Sequence, residues 1–190
     1  MPAPDDDTAR AALAAQLEQE LPGLEVYVRL NMAQDLRARE SSADLVQSVC
    51  RELVTELPGF DYRGPEALRA WLFRTAIHKI RDRAKYHRAD RRNPERERDG
   101  RDQSELQQLY ASVGTPSAHA IAHENAALVE AAFAQLSPED REVVTLCRVL
   151  GRSSDEAAAV LGKSAGAVRT QLCRALARLA AELDRLGVSV

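Results

Sequence analysis

Apolar residues recur at three- and four-residue steps along two long stretches of this chain, and this spacing places them on one side of an α-helix. In the first stretch the apolar positions are Leu45, Val46, Val49, Cys50, Leu53, Val54 and Leu57. In the second they are Val168, Leu172, Leu176, Leu179, Leu183 and Leu186. Ala, Leu, Arg and Glu dominate the composition and aromatic residues make up only 4%, which favours helices over strands. The chain is predicted to be all-α.

Helix-breaking residues and changes in polarity divide the 190-residue chain into four parts. The predicted parts are an N-terminal helical extension 1–23 that ends at Pro22-Gly23, a helical domain 24–92, a flexible linker 93–117 and a second helical domain 118–186. The linker opens with Asn-Pro and is crowded with charges, so we expect it to bury little, with one helical turn around Leu106, Leu109 and Tyr110. Fully extended, a linker of this length reaches about 80 Å.

Helix start and stop signals are clear in the second domain. Ser137 precedes a proline and two acids, and Ser153 with Glu156 has the spacing of a capping box. Gly162 marks a turn and Ser164 can cap the last helix. These signals predict where the helices of this domain begin and end.

The helix predicted from about Glu66 to Arg88 carries a basic face. At about 100° per residue, five basic residues fall within a stripe roughly 80° wide: Arg74, His78, Arg81, Lys85 and Arg88. Residues 74–92 hold eight Lys or Arg and two Asp, a local charge of +6 in a chain of net charge −3. Such a stripe suits a phosphate backbone. A solvated helix face is the plainer alternative, but solvated faces usually mix charges of both signs.

A helix-turn-helix is predicted near the C-terminus. The helix from Ser154 to Leu161, the turn at Gly162-Lys163 and the helix from Ser164 onward have the required order. Four side chains of the second helix share one exposed surface: Arg169, Thr170, Cys173 and Arg174. Arg can donate two hydrogen bonds to guanine, and Thr can bond a phosphate or touch a thymine methyl group. A plain helical hairpin with surface arginines is the alternative.

Asp44-Leu45-Val46-Gln47 stands at the start of the first amphipathic helix. An acid at this position suits the helix dipole, which by itself accounts for Asp44. The polar face that includes Gln47 and Arg51 could also meet a partner helix. Periodicity does not separate these two interpretations.

Three segments together resemble the extracytoplasmic-function (ECF) sigma factors of bacterial RNA polymerase. SSADLVQSVCRELV resembles their region 2.2, and FDYRGPEALRAWLFRTAIHKIRDRAKYHRADRR resembles regions 2.3 and 2.4. LSPEDREVVTLCRVLGRSSDEAAAVLGKSAGAVRTQLCRALARL resembles region 4. The resemblance covers roughly residues 24–92 and 118–183, in the order and spacing of the family. One departure lies in the first helix of the helix-turn-helix, where Ser154 and Ala158 replace the usual aromatic and branched aliphatic residues.

The resemblance implies transcription initiation and assigns three sets of contacts. Contacts to the β′ clamp helices of core RNA polymerase fall on Asp44, Leu45, Val46 and Gln47. Recognition and melting of the promoter −10 element fall on Phe60, Asp61, Tyr62, Arg63, Arg74, His78, Arg81, Lys85 and Arg88. Recognition of the −35 element falls on Ser164, Gly166, Arg169, Thr170, Cys173 and Arg174. Region 4 would also dock on the β flap of polymerase, and an anti-sigma factor is a further partner that the resemblance allows.

The sequence offers little support for metal binding, redox sensing or catalysis. His119 and His123 have a workable zinc spacing and Cys147 is in the same domain, but no second pair accompanies them, so neither a metal nor a cofactor is expected. A redox sensor at Cys147 or Cys173 lacks a supporting pattern. Motifs of catalysis are missing, so the chain is not expected to be an enzyme. Because no stretch approaches the ~20 apolar residues of a membrane span, and the first residues are acidic, we expect a cytoplasmic protein without membrane insertion.

Two rival functions remain open at this point. A helix-turn-helix regulator that is not a sigma factor would bind duplex DNA without polymerase, usually as a dimer on symmetric half-sites. Its effector domain would not need the basic stripe of residues 74–88. A sigma decoy would bind polymerase without initiating transcription.

Overall fold

The computed structural model describes residues 6–57, 62–89, 103–123 and 126–188, and every regular element in these ranges is helical. The all-α prediction is therefore confirmed. In chain order the elements are α1 (Asp6–Asn31), α2 (Gln34–Arg37), α3 (Ser42–Glu56), α4 (Pro65–Ala89), α5 (Gln103–Ala111), α6 (Pro116–His123), α7 (Ala126–Gln135), α8 (Pro138–Val144), a π-helical turn (Thr145–Val149), α9 (Ser154–Leu161) and α10 (Ala165–Arg185). Within the described part of the chain, no helix combines the length and the apolar character that crossing a membrane requires.

Helix α1 runs through Pro22 without a break, so the predicted end at Pro22-Gly23 is wrong. A proline inside a helix costs about 3 kcal/mol. The residues that follow it offset this cost, because Leu24, Tyr27 and Val28 are fully buried and each buried side chain of this size contributes about 1.5–3 kcal/mol. The Tyr27 ring also packs edge-to-face on the Phe73 ring of α4, with 5.2 Å between centroids.

The predicted caps of the second domain are confirmed. The Ser137 hydroxyl accepts a hydrogen bond from the Asp140 amide, and the Ser164 hydroxyl accepts one from the Ala167 amide. Ser153 and Glu156 form a reciprocal capping box. Gly162 ends α9 with φ 64°, in the left-handed region that glycine adopts without a steric penalty.

The later part of the predicted linker is folded, so the prediction of a flexible segment up to residue 117 is wrong there. Residues 103–111 form α5, in which Leu106 is 6% exposed and Tyr110 is fully buried. Pro116 already belongs to α6. Leu106, Leu109 and Tyr110 lie at steps of three and four residues and give α5 an apolar face, which packs against α1, α6 and α7. Residues 93–102 lie outside the described residues.

The two predicted helical domains are both present, but they are packed against each other. Helix α1 contacts α3 and α4 of the first domain and also α7, α8 and the π-helical turn of the second, while α4 contacts α9. The buried apolar residues consequently form one continuous core. This packing differs from the predicted arrangement, in which two separate domains are joined by a polar linker.

Candidate nucleic-acid and polymerase interface

The helix-turn-helix has the geometry that the sequence predicts. Helices α9 and α10 pack on each other through the turn at Gly162. Val168 and Leu172 are buried and hold α10 to the rest of the fold. All of the residues assigned to −35 recognition are exposed: Ser164, Gly166, Arg169, Thr170, Cys173 and Arg174. The structure therefore brings this predicted set together on one accessible surface.

The exposed surface of α10 continues beyond the predicted set. Arg178 follows Arg174 by about one helical turn and forms an ion pair with Asp140 of α8. The Gln171 amide donates to the same carboxylate at 3.3 Å, and it accepts a 2.7 Å hydrogen bond from Lys163 Nζ. Arg178 and Lys163 were not among the predicted site residues, although the one-turn spacing from Arg174 was a usable signal for Arg178. Both extend the positive charge of this surface.

The basic stripe of α4 lies opposite the buried face of that helix. Arg74, His78, Arg81 and Lys85 are exposed, whereas Leu72, Phe73, Ala76 and Ile80 are buried. The stripe and the apolar face are thus separated as the sequence predicts.

Two arginines of this stripe contact the C-terminal half of the chain. Arg74 Nη2 donates a 2.7 Å hydrogen bond to the carbonyl of Ala159 in α9. Arg81 Nη2 donates to both carboxylate oxygens of Glu142 in α8, at 2.9 and 3.0 Å. Burial raises the pKa of Glu142, and the neighbouring Arg81 opposes that rise.

The loop before α4 is described only in part. Tyr62 is half-buried and packs against the core, and Arg63 is exposed. Phe60, Asp61 and the side chain of Arg88 lie outside the described residues. The assignment of these three to −10 recognition therefore remains a prediction.

The four-residue cluster at the start of α3 divides between surface and core. Asp44 and Gln47 are exposed one helical turn apart, so they share a face that a partner can reach. Leu45 and Val46 are 3% and 9% exposed and point into the core, so their assignment to a polymerase-binding surface does not fit this structure. The Ser41 hydroxyl caps α3 by accepting a hydrogen bond from the Asp44 amide.

Two buried carboxylates, which the sequence analysis missed, connect distant parts of the chain. Glu130 of α7 accepts hydrogen bonds from Arg29 Nε at 2.6 Å, Arg37 Nη1 at 3.0 Å and the Tyr110 hydroxyl at 2.6 Å. Glu20 of α1 is 3% exposed. Its ion pairs, to Arg69 at 2.8 Å and Arg152 at 3.0 Å, join three segments that are far apart in sequence.

An apolar groove of about 300 Å³ runs along the C-terminal half of α10. Its walls come from α6, α7, α8, the π-helical turn and α10, and include Val129, Phe133, Val144, Leu176, Leu179 and Leu183. These residues are distinct from the exposed set at residues 164–174.

The cysteines differ in accessibility. Cys147 is buried, which raises the pKa of its thiol, whereas Cys173 is exposed. Among the residues that the structure describes, no group of three or more His, Cys, Asp and Glu side chains is placed to hold a metal ion.

An all-helical chain with a helix-turn-helix and a second basic helix has the features of a DNA-binding protein. Two family models match it: Sigma-70 region 2 over residues 27–92 and Sigma-70, region 4 over residues 126–179. The ECF RNA polymerase sigma factor SigD of Mycobacterium tuberculosis is 31% identical over 178 residues, which cover 94% of this chain and 80% of SigD. The RNA polymerase sigma factor CnrH of Cupriavidus metallidurans is 34% identical over 145 residues, which cover 74% of this chain and 72% of CnrH.

Two solved structures are also similar. CnrH in complex with the cytosolic domain of CnrY matches with a TM-score of 0.57 and 26% identity, over 93% of this chain and 90% of CnrH. The sigma factor RpoE of Bartonella quintana, solved with the anti-sigma factor NepR, matches with a TM-score of 0.64 over 95% of this chain and 98% of RpoE. At 21% identity, this second likeness concerns the fold alone.

The chain belongs to the ECF family of RNA polymerase sigma factors, and its function is in transcription initiation. Region 2 denotes residues 27–92 from here on, and region 4 denotes residues 126–179. The family predicted from the three sequence segments is confirmed.

Proposed function

We propose that this chain binds core RNA polymerase and directs it to promoters, with region 2 at the −10 element and region 4 at the −35 element. The single observation that carries this proposal is the exposed set at residues 164–174, presented by a helix-turn-helix inside the matched region 4. A recognition helix of this kind enters the major groove with its N-terminal residues toward the base edges. Arg169 and Arg174 are the residues that we assign to base or phosphate contacts.

At the −10 element, we propose that the basic stripe of α4 follows the phosphate backbone while the loop before α4 holds unstacked bases. Lys or Arg side chains that neutralise phosphates release counterions and so favour binding. Aromatic side chains beside such a surface can stack on bases of a separated strand. Tyr62, and Phe60 outside the described residues, are the candidates for stacking.

For polymerase, we propose two contacts. Asp44 and Gln47 form the exposed polar face of α3 that would meet the β′ clamp helices. The apolar groove along α10 would receive the β flap, because an apolar groove suits an apolar helix and this one lies apart from the residues assigned to DNA. Leu45 and Val46 then support this face from the core instead of touching polymerase.

The predictions on catalysis, cofactors, localisation and regulation follow from a role as a sigma factor. A sigma factor acts by binding, so we propose no catalytic step and no cofactor for this chain. Its partner polymerase places it in the cytoplasm. An anti-sigma factor is proposed as a regulator, since both similar structures contain such a partner or a cytosolic domain bound to the sigma factor.

Run-off transcription with purified core polymerase, with and without this chain, tests the proposal on a promoter library. Transcripts that start downstream of a shared pair of −35 and −10 motifs are expected only when the chain is present. If the chain binds polymerase but no transcript appears, the decoy function replaces this proposal. If it ignores polymerase and binds symmetric duplex sites by itself, it is a regulator of another class.

A further inference from the structure

A buried acid lies among the DNA-facing residues of region 4. Asp140 of α8 is 3% exposed, and it lines a shallow pocket of about 460 Å³ together with Thr170, Gln171, Arg174 and Arg178 of α10. Two of these residues, Thr170 and Arg174, belong to the set assigned to the −35 element. A carboxylate beside that set repels DNA phosphates at close range, so its charge alone disfavours the binding proposed for this surface.

The Asp140 carboxylate makes its contacts with α10 and not with the cap of its own helix. Asp140 is the third residue after the cap Ser137, whose hydroxyl accepts a hydrogen bond from the Asp140 amide. At the same position in α9, the Glu156 carboxylate turns back and accepts a hydrogen bond from the Ser153 amide. The Asp140 carboxylate instead accepts from two side chains of α10 at once. The hydrogen bonds of a helix cap therefore do not account for this carboxylate.

Arg178 is the charged partner of Asp140 on α10. Its side chain is 61% exposed, and a long exposed side chain samples many rotamers when nothing holds it. The ion pair with Asp140 uses one Nη1–H of a guanidinium group that has five N–H donors. The contact therefore fixes the direction of the side chain and leaves donors for phosphate oxygens. Because Arg178 follows Arg174 by about one turn, both lie on the same face of α10.

Gln171 extends the influence of Asp140 to a second cation. The Gln171 amide nitrogen donates to the Asp140 carboxylate at 3.3 Å, and its amide oxygen accepts a 2.7 Å hydrogen bond from Lys163 Nζ. The opposite orientation of the amide would place its NH₂ group against the ammonium and its oxygen against the carboxylate. Asp140 thereby sets the orientation of Gln171, and Gln171 holds the exposed Lys163 in the turn before α10.

We propose that Asp140 is a positioning residue for DNA binding, which holds Arg178 directly and Lys163 through Gln171 as phosphate contacts beside the −35 recognition residues. This proposal rests on the proposed function, since it concerns the surface assigned to the −35 element. Phosphate contacts set the register and orientation of a recognition helix without reading the sequence. Gln171, whose amide is used within the protein, supports these contacts and reads no base.

Removal of the Asp140 charge separates positioning from simple neutralisation of Arg178. Asp140→Asn keeps the shape of the side chain and removes one negative charge. If the carboxylate only neutralised Arg178, binding of DNA would strengthen, because the surface becomes more positive. If Asp140 positions the two cations, binding weakens about fivefold, since Arg178 and Lys163 must then be ordered as DNA binds.

Glu139→Gln is the matched control. It makes the same change of charge at the neighbouring position, where the side chain is exposed, and leaves the Asp140 contacts in place. The affinity of this variant for DNA should equal or slightly exceed that of the unaltered chain. Circular dichroism verifies that each variant keeps its helices.

The measurement is binding of the full chain to a short, fluorescently labelled duplex of mixed sequence, followed by polarisation over a series of salt concentrations. Phosphate contacts do not depend on sequence, so no promoter has to be known. Arg178→Ala and Lys163→Ala should each lower the slope of log affinity against log salt by about 0.9, the value for one lost phosphate contact.

A double-mutant cycle then tests whether Asp140 acts through these cations. In a chain that already carries both Arg178→Ala and Lys163→Ala, Asp140→Asn should weaken DNA binding no further. A general structural role of Asp140 would instead lower the affinity by the same factor with and without the two cations.

The proposal is overturned if Asp140→Asn binds the duplex as tightly as the unaltered chain or more tightly, or if its effect persists without the two cations. Unchanged salt slopes in both Arg178→Ala and Lys163→Ala overturn it even if Asp140→Asn does not fold, and so does a failure of the unaltered chain to bind the duplex. Run-off transcription by the unaltered chain is scored separately. Its failure would remove the proposed function while leaving the salt slopes measurable, so the two failures are distinguishable.

Discussion

The Tyr110 hydroxyl donates a 2.6 Å hydrogen bond to Glu130 Oε1 in the interior of the protein. This bond ties α5 to region 4, and burial raises the pKa of Tyr110 well above its ordinary value. Tyr110→Phe removes the donor while keeping the ring. Because a hydrogen bond to a charged group contributes about 1.5–3 kcal/mol, the free energy of unfolding is expected to fall by about that amount in urea denaturation. Tyr86→Phe is the control, since Tyr86 is 63% exposed; equal effects of the two would contradict a stabilising role for this bond.

Replacing Arg169 or Arg174 by Ala should weaken binding of −35 DNA by about 1–3 kcal/mol each, which is the range for a specific arginine contact. The measurement is promoter selectivity of the reconstituted polymerase, with duplex binding measured alongside. Arg185→Ala is the matched control, because Arg185 lies on the same helix but pairs with Glu182 outside the DNA-facing set. Unchanged selectivity in both test variants would contradict the assignment.

Asp44→Asn and Gln47→Ala should reduce co-purification with core polymerase while leaving the melting temperature nearly unchanged, since both side chains are exposed. Leu45→Ala should instead lower the melting temperature, while the exposed face of Asp44 and Gln47 stays intact. Leu45 is 3% exposed, so its truncation leaves a cavity and costs about 2–5 kcal/mol of stability. Full retention of polymerase binding by both Asp44→Asn and Gln47→Ala would refute the assignment of this face.

The rate at which Cys173 reacts with a maleimide reports whether DNA covers α10, and this test needs no substitution. It is exposed on α10, whereas Cys147 is buried, so a maleimide should modify Cys173 well before Cys147. Duplex DNA that carries the −35 element should slow this reaction, and duplex DNA without the element should not. Mass spectrometry of the labelled peptides measures both rates. Modification of Cys173 at the same rate with and without bound promoter DNA would place DNA on another surface.

The capping box of α9 predicts a defined dependence of stability on pH. The Ser153 amide donates a 2.9 Å hydrogen bond to the Glu156 carboxylate, and this bond is the main reason that the pKa of Glu156 is lowered. A lowered pKa in the folded state stabilises the protein above the pKa of the unfolded chain, about 4.3 for glutamate, and this contribution is lost as the pH falls further.

Glu156→Gln keeps an acceptor for the Ser153 amide but removes the charge. The difference in unfolding free energy between the two proteins should therefore be largest near pH 7 and shrink as the pH falls below about 4.3. Urea denaturation over a series of pH values measures it. A difference that is the same at all pH values would show that the charge of Glu156, which also pairs with Arg69 at 3.0 Å, contributes nothing to stability.

Local structure was predictable from the sequence because it depends on neighbouring residues. The turn at Gly162, the cap at Ser164 and the exposed position of Arg169 all follow from residue types and spacing within a few residues of the chain. The continuation of α1 through Pro22 was not predictable in this way. It depends on burial of residues such as Tyr27 against a helix more than forty residues later, and such tertiary packing overrides local propensity.

The site residues divide in the same way, into those that helix periodicity places correctly and those whose surroundings depend on tertiary packing. Asp44 and Gln47 fall on the face that periodicity assigns to solvent, but Leu45 and Val46 were grouped with them by resemblance and lie in the core. Glu20 and Glu130 gave no signal, because a carboxylate on a helix is ordinarily a surface residue. Only the assembled fold brings their arginine partners within reach.

The ion pair between Glu20 and Arg152 joins residues 132 positions apart. During synthesis at about 5–20 residues per second, the N-terminal helix must wait on the order of ten seconds before its second partner exists. Over that interval the buried side of α1 that contacts region 4 has nothing from its own chain to cover it. Helix α1 of the nascent chain therefore exposes this side until region 4 has been synthesised.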